Sequence, residues 1–216
     1  MLRAAVVLSL LLLLSPSAAR AEKRVALVIG NSAYRYTGQL ANPKNDATDM
    51  AVALSTLGFK VIQGLDLDKA ALDRTVREFS TALQGAEVGL FFYAGHGLQV
   101  SGQNYIIPTD AQLKSLAALE VETMRFESVQ RIMESEDRTN ILFFDACRDN
   151  PLARNLAEAM GTRSVAIGRG LAPVQSGQGT SSAFRRSPEA WRSTGGGATR
   201  RLQARWSGVC CPRMRR

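Results

Sequence analysis

Two side chains in this sequence have the chemical types and the placement to act as a nucleophile and its base. His96 is the single histidine of the chain, and Cys147 is the single cysteine before residue 210. Each follows a short apolar run typical of a buried strand, residues 88–93 before the histidine and 141–144 before the cysteine. An imidazole beside a thiol can take the thiol proton, and the thiolate then attacks a carbonyl carbon. Each residue alone is more typical of a structural role, as a small buried thiol or a hydrogen-bonded core histidine, and it is their joint placement that favours a catalytic pair.

The elements that must position this pair alternate between strands and helices. Apolar, β-branched runs predict strands over 24–29, 59–65, 88–93 and 141–144, and a hairpin over 98–107. Helical spacing and capping signals predict helices over 43–57, 69–83 and about 128–135. Strands that are apolar on both faces and alternate with helices indicate an α/β fold, with a mainly parallel central sheet and helices on both faces.

Ligands in such folds bind at the carboxyl ends of the strands. The pattern places His96 and Cys147 just past the ends of the third and fourth strands, so both face one crevice if these strands are neighbours. Backbone amides near Gly97 and Cys147 are candidate oxyanion donors, since glycine permits close approach of a substrate.

The first residues have the layout of a secretory signal peptide. A basic start at Arg3, an apolar run over 4–14 and the sequence Ala19-Arg20-Ala21 match its three regions. We expect cleavage after Ala21 and a mature chain that is periplasmic or secreted. No later stretch is long and apolar enough to predict a transmembrane span.

The basic charge of the chain is concentrated at its end. The net charge is +8, yet residues 22–180 hold 16 basic and 18 acidic groups, while 181–216 hold nine arginines against one glutamate. Such a tail can contact anionic surfaces, but no nucleic-acid-binding module accompanies it, so we expect no specific nucleic-acid binding. The remaining cysteines, Cys210 and Cys211, have no disulfide-framework or zinc-site spacing, and with a single histidine we expect no metal site.

The residues around the histidine and the cysteine resemble the signatures of a known family. Tyr93-Ala94-Gly95-His96-Gly97 and the run from Asp145 to Pro151 look like the two motifs of bacterial caspase-like cysteine peptidases of the metacaspase and orthocaspase type, peptidase family C14. The opening over 24–31 with Tyr34, and the stretch 40–47, are similar as well. The resemblance runs from about residue 23 to 179.

This resemblance implies a caspase-like (caspase–hemoglobinase) fold and an endopeptidase with a His–Cys dyad. His96 would be the general base and Cys147 the nucleophile. Metacaspase-type members cleave after Arg or Lys, and the positions whose acidic residues line that pocket are Asp46 and Asp145 here. A basic side chain entering a partly buried pocket needs a carboxylate partner. Both aspartates are equally typical of structural roles, at a helix first turn and a strand end.

The family pattern breaks at about residue 180. Relatives continue with an apolar strand, a loop that shapes the pocket and a further helix, whereas residues 181–216 are arginine-rich and lack apolar periodicity. We therefore expect a signal peptide over 1–21, a caspase-like domain over 22–180 that lacks its C-terminal strand or strands, and a basic, disordered tail over 181–216. The abrupt change suggests a frameshifted or truncated reading frame. Residues 148–180 read as a long mobile loop, with Arg154, Arg163 and Arg169 as candidate self-cleavage sites.

Three functions follow from these observations. The first is an exported cysteine endopeptidase acting on peptides or proteins after Arg or Lys. The second is a catalytically impaired caspase-like domain that serves as a binding or scaffold module, which the break near 180 favours. The third is another Cys–His hydrolase, such as an amidase or acyltransferase. The sequence requires no cofactor, leaves calcium dependence open because some relatives use calcium, and leaves the oligomeric state open.

Overall fold

A computed structural model of the chain describes residues 22–147, 151–159, 167–168, 172 and 179–184. Eight strands form one sheet within these ranges. The strands are β1 (Arg24–Gly30), β2 (Phe59–Leu65), β3 (Val88–Val100), β4 (Gln103–Ile106), β5 (Met124–Arg125), β6 (Thr139–Cys147), β7 (Ile167–Gly168) and β8 (Thr180–Phe184). The helices are α1 (Pro43–Thr56), α2 (Lys69–Leu83), α3 (Leu116–Glu122), α4 (Phe126–Met133) and α5 (Pro151–Ala159).

The sheet has a parallel part and an antiparallel extension. The parallel part has the order β2–β1–β3–β6–β8, and every neighbouring pair in it is parallel. Beyond it, the last residues of β3 pair antiparallel with β4 and β7, and β4 pairs antiparallel with β5. The mainly parallel α/β architecture expected from the sequence is confirmed, and β3 is the strand shared by both parts.

Helices cover both faces of the parallel part. Small residues of α1 pack on one face of β1 and β3 in a cluster of Ala26, Val28, Ala47, Ala51, Leu54, Leu90, Phe92 and Ala94. The other face packs against α2 and α4, where the buried side chains include Leu27, Leu72, Phe79, Phe91, Phe126 and Met133. A third cluster covers the antiparallel extension and receives Leu119 from α3 and Leu152 and Leu156 from α5.

Most strand and helix predictions are confirmed within a few residues. The strand at 59–65 and the helix at 69–83 have the predicted bounds. The hairpin is confirmed too, with Ser101 and Gly102 both at positive φ between β3 and β4, as a tight two-residue hairpin turn requires.

The ends of the two central strands differ from the prediction. The predicted strands end at residues 93 and 144, whereas β3 continues to Val100 and β6 continues to Cys147. The ladder between the two strands explains the difference, because it runs through Ala94↔Asp145 and Gly95↔Ala146 to His96↔Cys147. Pairing with β4 carries β3 further still. Local composition could not reveal these backbone partners.

Two elements lie where the sequence analysis expects none. The segment after Cys147, expected to be a long loop, contains α5, whose Leu152 and Leu156 are four residues apart and buried on one helix face. The strand β8 pairs parallel with β6 at residues 180–184, so the expectation that the sheet lacks a strand at this edge is wrong over those residues. The pairing uses backbone N–H and C=O groups, which every residue of Thr180–Phe184 supplies. The expected signal peptide over 1–21, the candidate self-cleavage sites Arg163 and Arg169, and residues 185–216 of the expected tail lie outside the described ranges.

The close packing of α1 on the end of β1 predicts a sensitive glycine. A Cβ at Gly30 would lie 2.6 Å from the Ala47 Cβ and would also collide with the Pro43 carbonyl oxygen. We expect Gly30→Ala to lower the free energy of unfolding by about 1–3 kcal/mol, the usual cost of overpacking. Urea unfolding followed by circular dichroism measures it. Gly38→Ala is the control, because a Cβ at Gly38 meets no atom within 4 Å; equal midpoints for the two variants would contradict the prediction.

Candidate functional site

The ladder between β3 and β6 brings His96 and Cys147 together. The two residues are register partners, and they are the last pair of a parallel ladder that begins at Val88↔Thr139. Neighbouring strands in a sheet lie about 4.8 Å apart, so the backbones of the two residues are adjacent. The expectation that these strands are neighbours is confirmed. The catalytic roles given to the two residues remain predictions.

The His96 imidazole is buried and held by one hydrogen bond. Its residue is 2% exposed, and its Nε2 lies 2.9 Å from the carbonyl oxygen of Gly38. A carbonyl oxygen can only accept, so Nε2 must carry the proton. The neutral ring therefore has its free lone pair on Nδ1, which is buried and has no hydrogen-bond partner among the described residues. In this tautomer Nδ1 is the atom that can accept a proton.

The burial of His96 also sets its charge. Burial lowers the pKa of the imidazole below its ordinary value of 6.5, and the hydrogen bond to Gly38 opposes this shift only in part. The charged form of a buried group loses its hydration, so the neutral form is favoured. At neutral pH the ring is therefore an unprotonated base.

Two tyrosines hold the backbone at His96. The Tyr34 hydroxyl accepts a hydrogen bond from the His96 backbone N–H at 2.7 Å, and the Tyr34 ring packs against the imidazole with centroids 4.4 Å apart. The Tyr93 hydroxyl donates to the His96 carbonyl oxygen at 2.6 Å. Gly95 leaves room for both hydroxyls, since a Cβ there would lie 2.6 Å from each oxygen. The Tyr-x-Gly-His pattern is thus explained by packing around the histidine.

The loop that supplies the Gly38 carbonyl is fixed by two buried or half-buried side chains. Asn31, which is fully buried, accepts from the Leu67 backbone N–H at 2.9 Å and donates to the Ile107 carbonyl at 3.2 Å. Asp66 accepts from the backbone N–H groups of Ser32 and Ala33 at 2.8 and 2.9 Å. These bonds anchor the start of the loop to the turn after β2 and to the chain after β4.

The charge of Asp66 is stabilised where it stands. Partial burial acts to raise the pKa of Asp66, but the Lys44 ammonium and the two backbone N–H groups outweigh it, so the pKa lies below its ordinary value of 3.8. Lys44 Nζ lies 2.9 Å from the Asp66 carboxylate. Asp66 has a φ of 51°, a left-handed conformation that aspartate and asparagine tolerate better than most residues.

The structure places both candidate pocket aspartates at the carboxyl ends of the parallel strands. Asp46 lies in the first turn of α1 and is 8% exposed. Asp145 is half-buried in β6 and is the register partner of Ala94 in β3. Ala94 is in turn the register partner of Gly30, the residue of β1 that packs against the start of α1. Phe143 packs toward the α1 side, and residues two apart on a strand share a face, so Asp145 belongs to that side as well. The substrate-binding role of both remains a prediction.

Gly97 follows His96 directly and pairs in register with Ile106 of β4. Its role as an oxyanion donor, and that of the Cys147 amide, remain predictions. Within the described residues, no group of three or more His, Cys, Asp or Glu side chains is placed to hold a metal ion. No helix in the described ranges combines the length and the apolar character needed to cross a membrane.

Three contributors to this site carry no signal that the sequence alone makes visible. The Gly38 carbonyl is a backbone group in a loop, and no residue type signals it. Asp66 and Asp68 both precede α2 and are both typical helix caps by type, but only Asp68 caps the helix, since its side chain accepts from the Ala71 N–H at 2.8 Å. Tyr34 appeared only as part of a family pattern, and its contact with His96 depends on the fold.

Comparison with known proteins gives a family match over most of the chain. Residues 23–200 match the family model Peptidase_C14, described as the caspase domain. This match extends about twenty residues past the point where the sequence analysis ends the family resemblance.

Two curated mammalian proteins are similar to part of the chain. The human mucosa-associated lymphoid tissue lymphoma translocation protein 1 is 34% identical over 130 residues, which is 59% of this chain and 15% of the relative. The homologous mouse protein is 33% identical over 130 residues, with the same coverage. The aligned part of this chain thus spans about one seventh of the length of these relatives.

The hydrogen bond from the His96 backbone N–H to the Tyr34 hydroxyl can be tested by its contribution to stability. Tyr34→Phe keeps the ring but leaves the buried His96 N–H without its acceptor, so we expect the free energy of unfolding to fall by about 1–3 kcal/mol. Urea denaturation measures it. Tyr36→Phe is the matched control from the same loop, since Tyr36 is 51% exposed and should change stability by less than about 0.5 kcal/mol. A Tyr34→Phe variant as stable as the control would argue against the hydrogen bond.

Asp66 predicts a pH-dependent contribution to stability. Its pKa is lowered in the folded chain, so its contribution is present above its ordinary value of 3.8 and is lost as the pH falls below 3.8 through the folded value. Asp66→Asn should cost about 1 kcal/mol at neutral pH, and the difference from the parent should shrink below that value. Urea midpoints across acidic pH measure this.

The control for this measurement is Asp73→Asn. Asp73 pairs with Lys69 one turn away on the surface of α2, so its loss should cost only about 0.3–0.5 kcal/mol. If the difference in urea midpoint between the parent and Asp66→Asn stayed constant down to the lowest pH, the stabilising role of the Asp66 charge would be contradicted.

Proposed function

This chain belongs to the caspase domain family, Peptidase_C14, and from that premise we propose that it is an exported cysteine endopeptidase that cleaves after Arg or Lys. The family is one of peptidases, and a protein or peptide substrate follows from it. The finer proposal concerns the His96–Cys147 dyad, the basic specificity and the export.

The observation that carries the dyad is the register of β3 and β6 together with the tautomer of His96. The two residues are partners in the ladder, and Nε2 is committed to Gly38, so Nδ1 is the atom left to accept a proton. A buried, neutral imidazole is the form that a general base needs. The Gly38 carbonyl then has a catalytic consequence, because it stabilises the imidazolium that forms when Nδ1 takes the proton.

The proposed reaction has two stages. The Cys147 thiol gives its proton to His96 Nδ1, and the sulfur attacks the substrate carbonyl carbon to form a tetrahedral oxyanion, with backbone N–H groups near Gly97 and Cys147 as donors. The C–N bond then breaks, and the proton on Nδ1 passes to the leaving amine. In the second stage Nδ1 takes a proton from water, the hydroxide cleaves the thioester, and the proton returns to the sulfur.

The specificity proposal rests on the two aspartates. Asp46 is almost fully buried and Asp145 half-buried at the edge of the sheet where the dyad lies. Carboxylates with restricted access to water interact strongly with a cation that enters beside them. A guanidinium or ammonium group on the residue before the scissile bond has that charge.

Export is supported by the sequence of residues 1–21 alone. Its basic start, apolar run and small-residue cleavage site are those of a secretory signal peptide. The mature peptidase would begin at Glu22, two residues before β1.

The decisive experiment is peptide hydrolysis by purified 22–216. Fluorogenic peptides with Arg, Lys or Asp before the scissile bond are compared, with and without calcium, for the parent and for Cys147→Ala. We expect cleavage after Arg and Lys and a loss of at least about a thousandfold in Cys147→Ala. Calcium dependence is read from the same assay.

The controls separate the dyad from the pocket. Asp46→Asn and Asp145→Asn should lower kcat/KM for Arg peptides by about tenfold or more without abolishing alkylation of Cys147 by iodoacetamide. Asp49→Asn, on the same helix, should leave hydrolysis unchanged. Cleavage after Asp would retain the dyad but overturn the roles of the two aspartates. A folded chain that cleaves none of the peptides would favour the binding or scaffold function.

A further inference from the structure

The backbone of His96 is hydrogen-bonded to a tyrosine hydroxyl on each side of its Cα. Its N–H donates to the Tyr34 hydroxyl at 2.7 Å, and its carbonyl oxygen accepts from the Tyr93 hydroxyl at 2.6 Å. The two hydroxyl oxygens lie 3.3 Å apart. Tyr34 and Tyr93 are both buried, so these bonds form away from bulk water, where a hydrogen bond is stronger and a broken one is more costly.

The directions of these hydrogen bonds follow from the number of protons. A tyrosine hydroxyl has one proton to donate, and Tyr93 gives its proton to the His96 carbonyl, with a longer contact of 3.3 Å to the Ile107 carbonyl. In the contact between the two hydroxyls, Tyr34 must therefore be the donor and Tyr93 the acceptor. The bonds run in one sense, from the His96 N–H to Tyr34, from Tyr34 to Tyr93, and from Tyr93 back to the His96 carbonyl. We call this closed set the tyrosine circuit.

The tyrosine circuit fixes the direction in which the His96 side chain leaves the backbone. The N–H and the carbonyl belong to the two peptide groups that flank the His96 Cα, and each peptide group is planar. Holding both planes fixes the two backbone dihedral angles, and with them the Cα–Cβ bond that carries the imidazole. Gly38 holds only the far nitrogen of the ring, Nε2. The position of Nδ1 therefore depends on the tyrosines as well.

The tyrosine circuit is itself fixed by its neighbours. The Tyr93 ring stacks on Phe144 of β6, with centroids 5.1 Å apart and an interplanar angle of 23°, and Phe144 lies three residues before Cys147. The Tyr34 ring packs against the His96 imidazole. Gly95 lies inside the circuit, where a Cβ would collide with both hydroxyls. The histidine is thus held relative to the strand that carries the cysteine.

We propose that Tyr34 and Tyr93 are positioning residues that act as one unit to hold the His96 imidazole in place for proton transfer from Cys147. The proposal rests on the proposed peptidase function, and it gives neither tyrosine a contact with the substrate. Loss of the Tyr34 hydroxyl leaves the His96 N–H without this acceptor. Loss of the Tyr93 hydroxyl removes both the donor to the carbonyl and the acceptor for Tyr34. Either loss opens the circuit, so the second loss adds little.

The kinetic test is a double-mutant cycle on the 22–216 chain. Hydrolysis of an Arg peptide is measured for Tyr34→Phe, Tyr93→Phe and the double variant. We expect each single variant to lower kcat about tenfold with KM unchanged, because the base loses its orientation while the peptide still binds. The double variant should also lie about tenfold below the parent, since residues that act as a unit give non-additive losses.

Three kinetic outcomes would overturn the proposal. One is a loss of about a hundredfold in the double variant, the product of two independent effects. Another is a rise in KM at constant kcat, which would place the tyrosines in peptide binding. The third is a kcat equal to that of the parent in both single variants.

A second measurement needs no catalysis, because His96 is the single histidine of the chain. Nitrogen-15 NMR of untagged 22–216 labelled at histidine therefore observes this ring alone. In the parent the proton should lie on Nε2 and exchange slowly with water, since Nε2 is bonded to Gly38 and the residue is buried. In either Tyr→Phe variant the Nε2–H signal should broaden as the ring loses its fixed orientation. Ring signals identical to those of the parent in both variants would contradict the positioning role.

The matched control is Tyr105→Phe. Tyr105 is also buried, and its hydroxyl bonds to Gln103 and Glu120 rather than to His96. This variant should leave kcat and the His96 ring signals unchanged. A loss of kcat equal to that of Tyr93→Phe would show a general effect of removing a buried hydroxyl and would overturn the proposal. If Tyr34→Phe does not fold, Tyr93→Phe alone tests the kcat and the ring signals against this control.

The two measurements separate this inference from the proposed function. If the parent hydrolyses no peptide while the ring signals depend on both tyrosines, the peptidase function fails and the positioning of His96 stands. If the parent cleaves Arg peptides and both single variants cleave them as fast, the inference fails and the peptidase function stands.

Discussion

The parallel pairing of β3 with β6 is the constraint on which the site depends. It runs without a break from Val88↔Thr139 to His96↔Cys147. Because side chains alternate along a strand, a slip of one residue would move every side chain of β6 to the opposite face and would separate the histidine from the cysteine position. The register is held by packing on both faces, with Phe91 and Phe144 in the cluster facing α2 and Phe92 and Ala94 in the cluster facing α1. Packing of the apolar core therefore sets the β3–β6 register, and with it the juxtaposition of residues 96 and 147, independently of the polar contacts.

The polar contacts around His96 then determine which of its nitrogens can accept a proton. Burial removes the hydration that an imidazolium would need, and the pKa of His96 falls. The Gly38 carbonyl fixes the proton on Nε2, which turns the lone pair of Nδ1 into the only basic site of the ring. That carbonyl lies on a loop whose start is anchored by Asn31 and Asp66. The Asp66 carboxylate at the turn after β2 thus helps to hold the start of the loop that carries the Gly38 carbonyl.

The sequence predicts the strands and the first two helices well because their signals are local. An apolar run such as 24–29 forms a strand wherever it is covered on both faces, and the spacing of Leu72, Val76, Phe79 and Leu83 predicts α2 by itself. The closeness of His96 and Cys147 can be predicted for a different reason, because the carboxyl ends of parallel strands lie on the same side of the sheet. The roles of the Gly38 carbonyl and the Tyr34 hydroxyl depend on contacts between residues 58 and 62 positions apart. No local pattern contains that information. The sequence does not predict β8, because its residues (TSSAF) form no apolar run and its pairing depends on the backbone groups of β6.

The strand β3 belongs both to the parallel ladder with β6 and to the antiparallel extension. β3 contributes His96 to the parallel ladder, and within three residues it contributes Gln99 to the pairing with β7. The chain that leaves β6 at Cys147 passes through α5, whose Leu152 and Leu156 pack beside Tyr34, Leu98 and Tyr105 in one cluster. The same cluster thus supports the tyrosine that holds His96 and the helix that follows the cysteine. The strand β3 therefore connects the packing of the antiparallel extension with the position of the His96 imidazole.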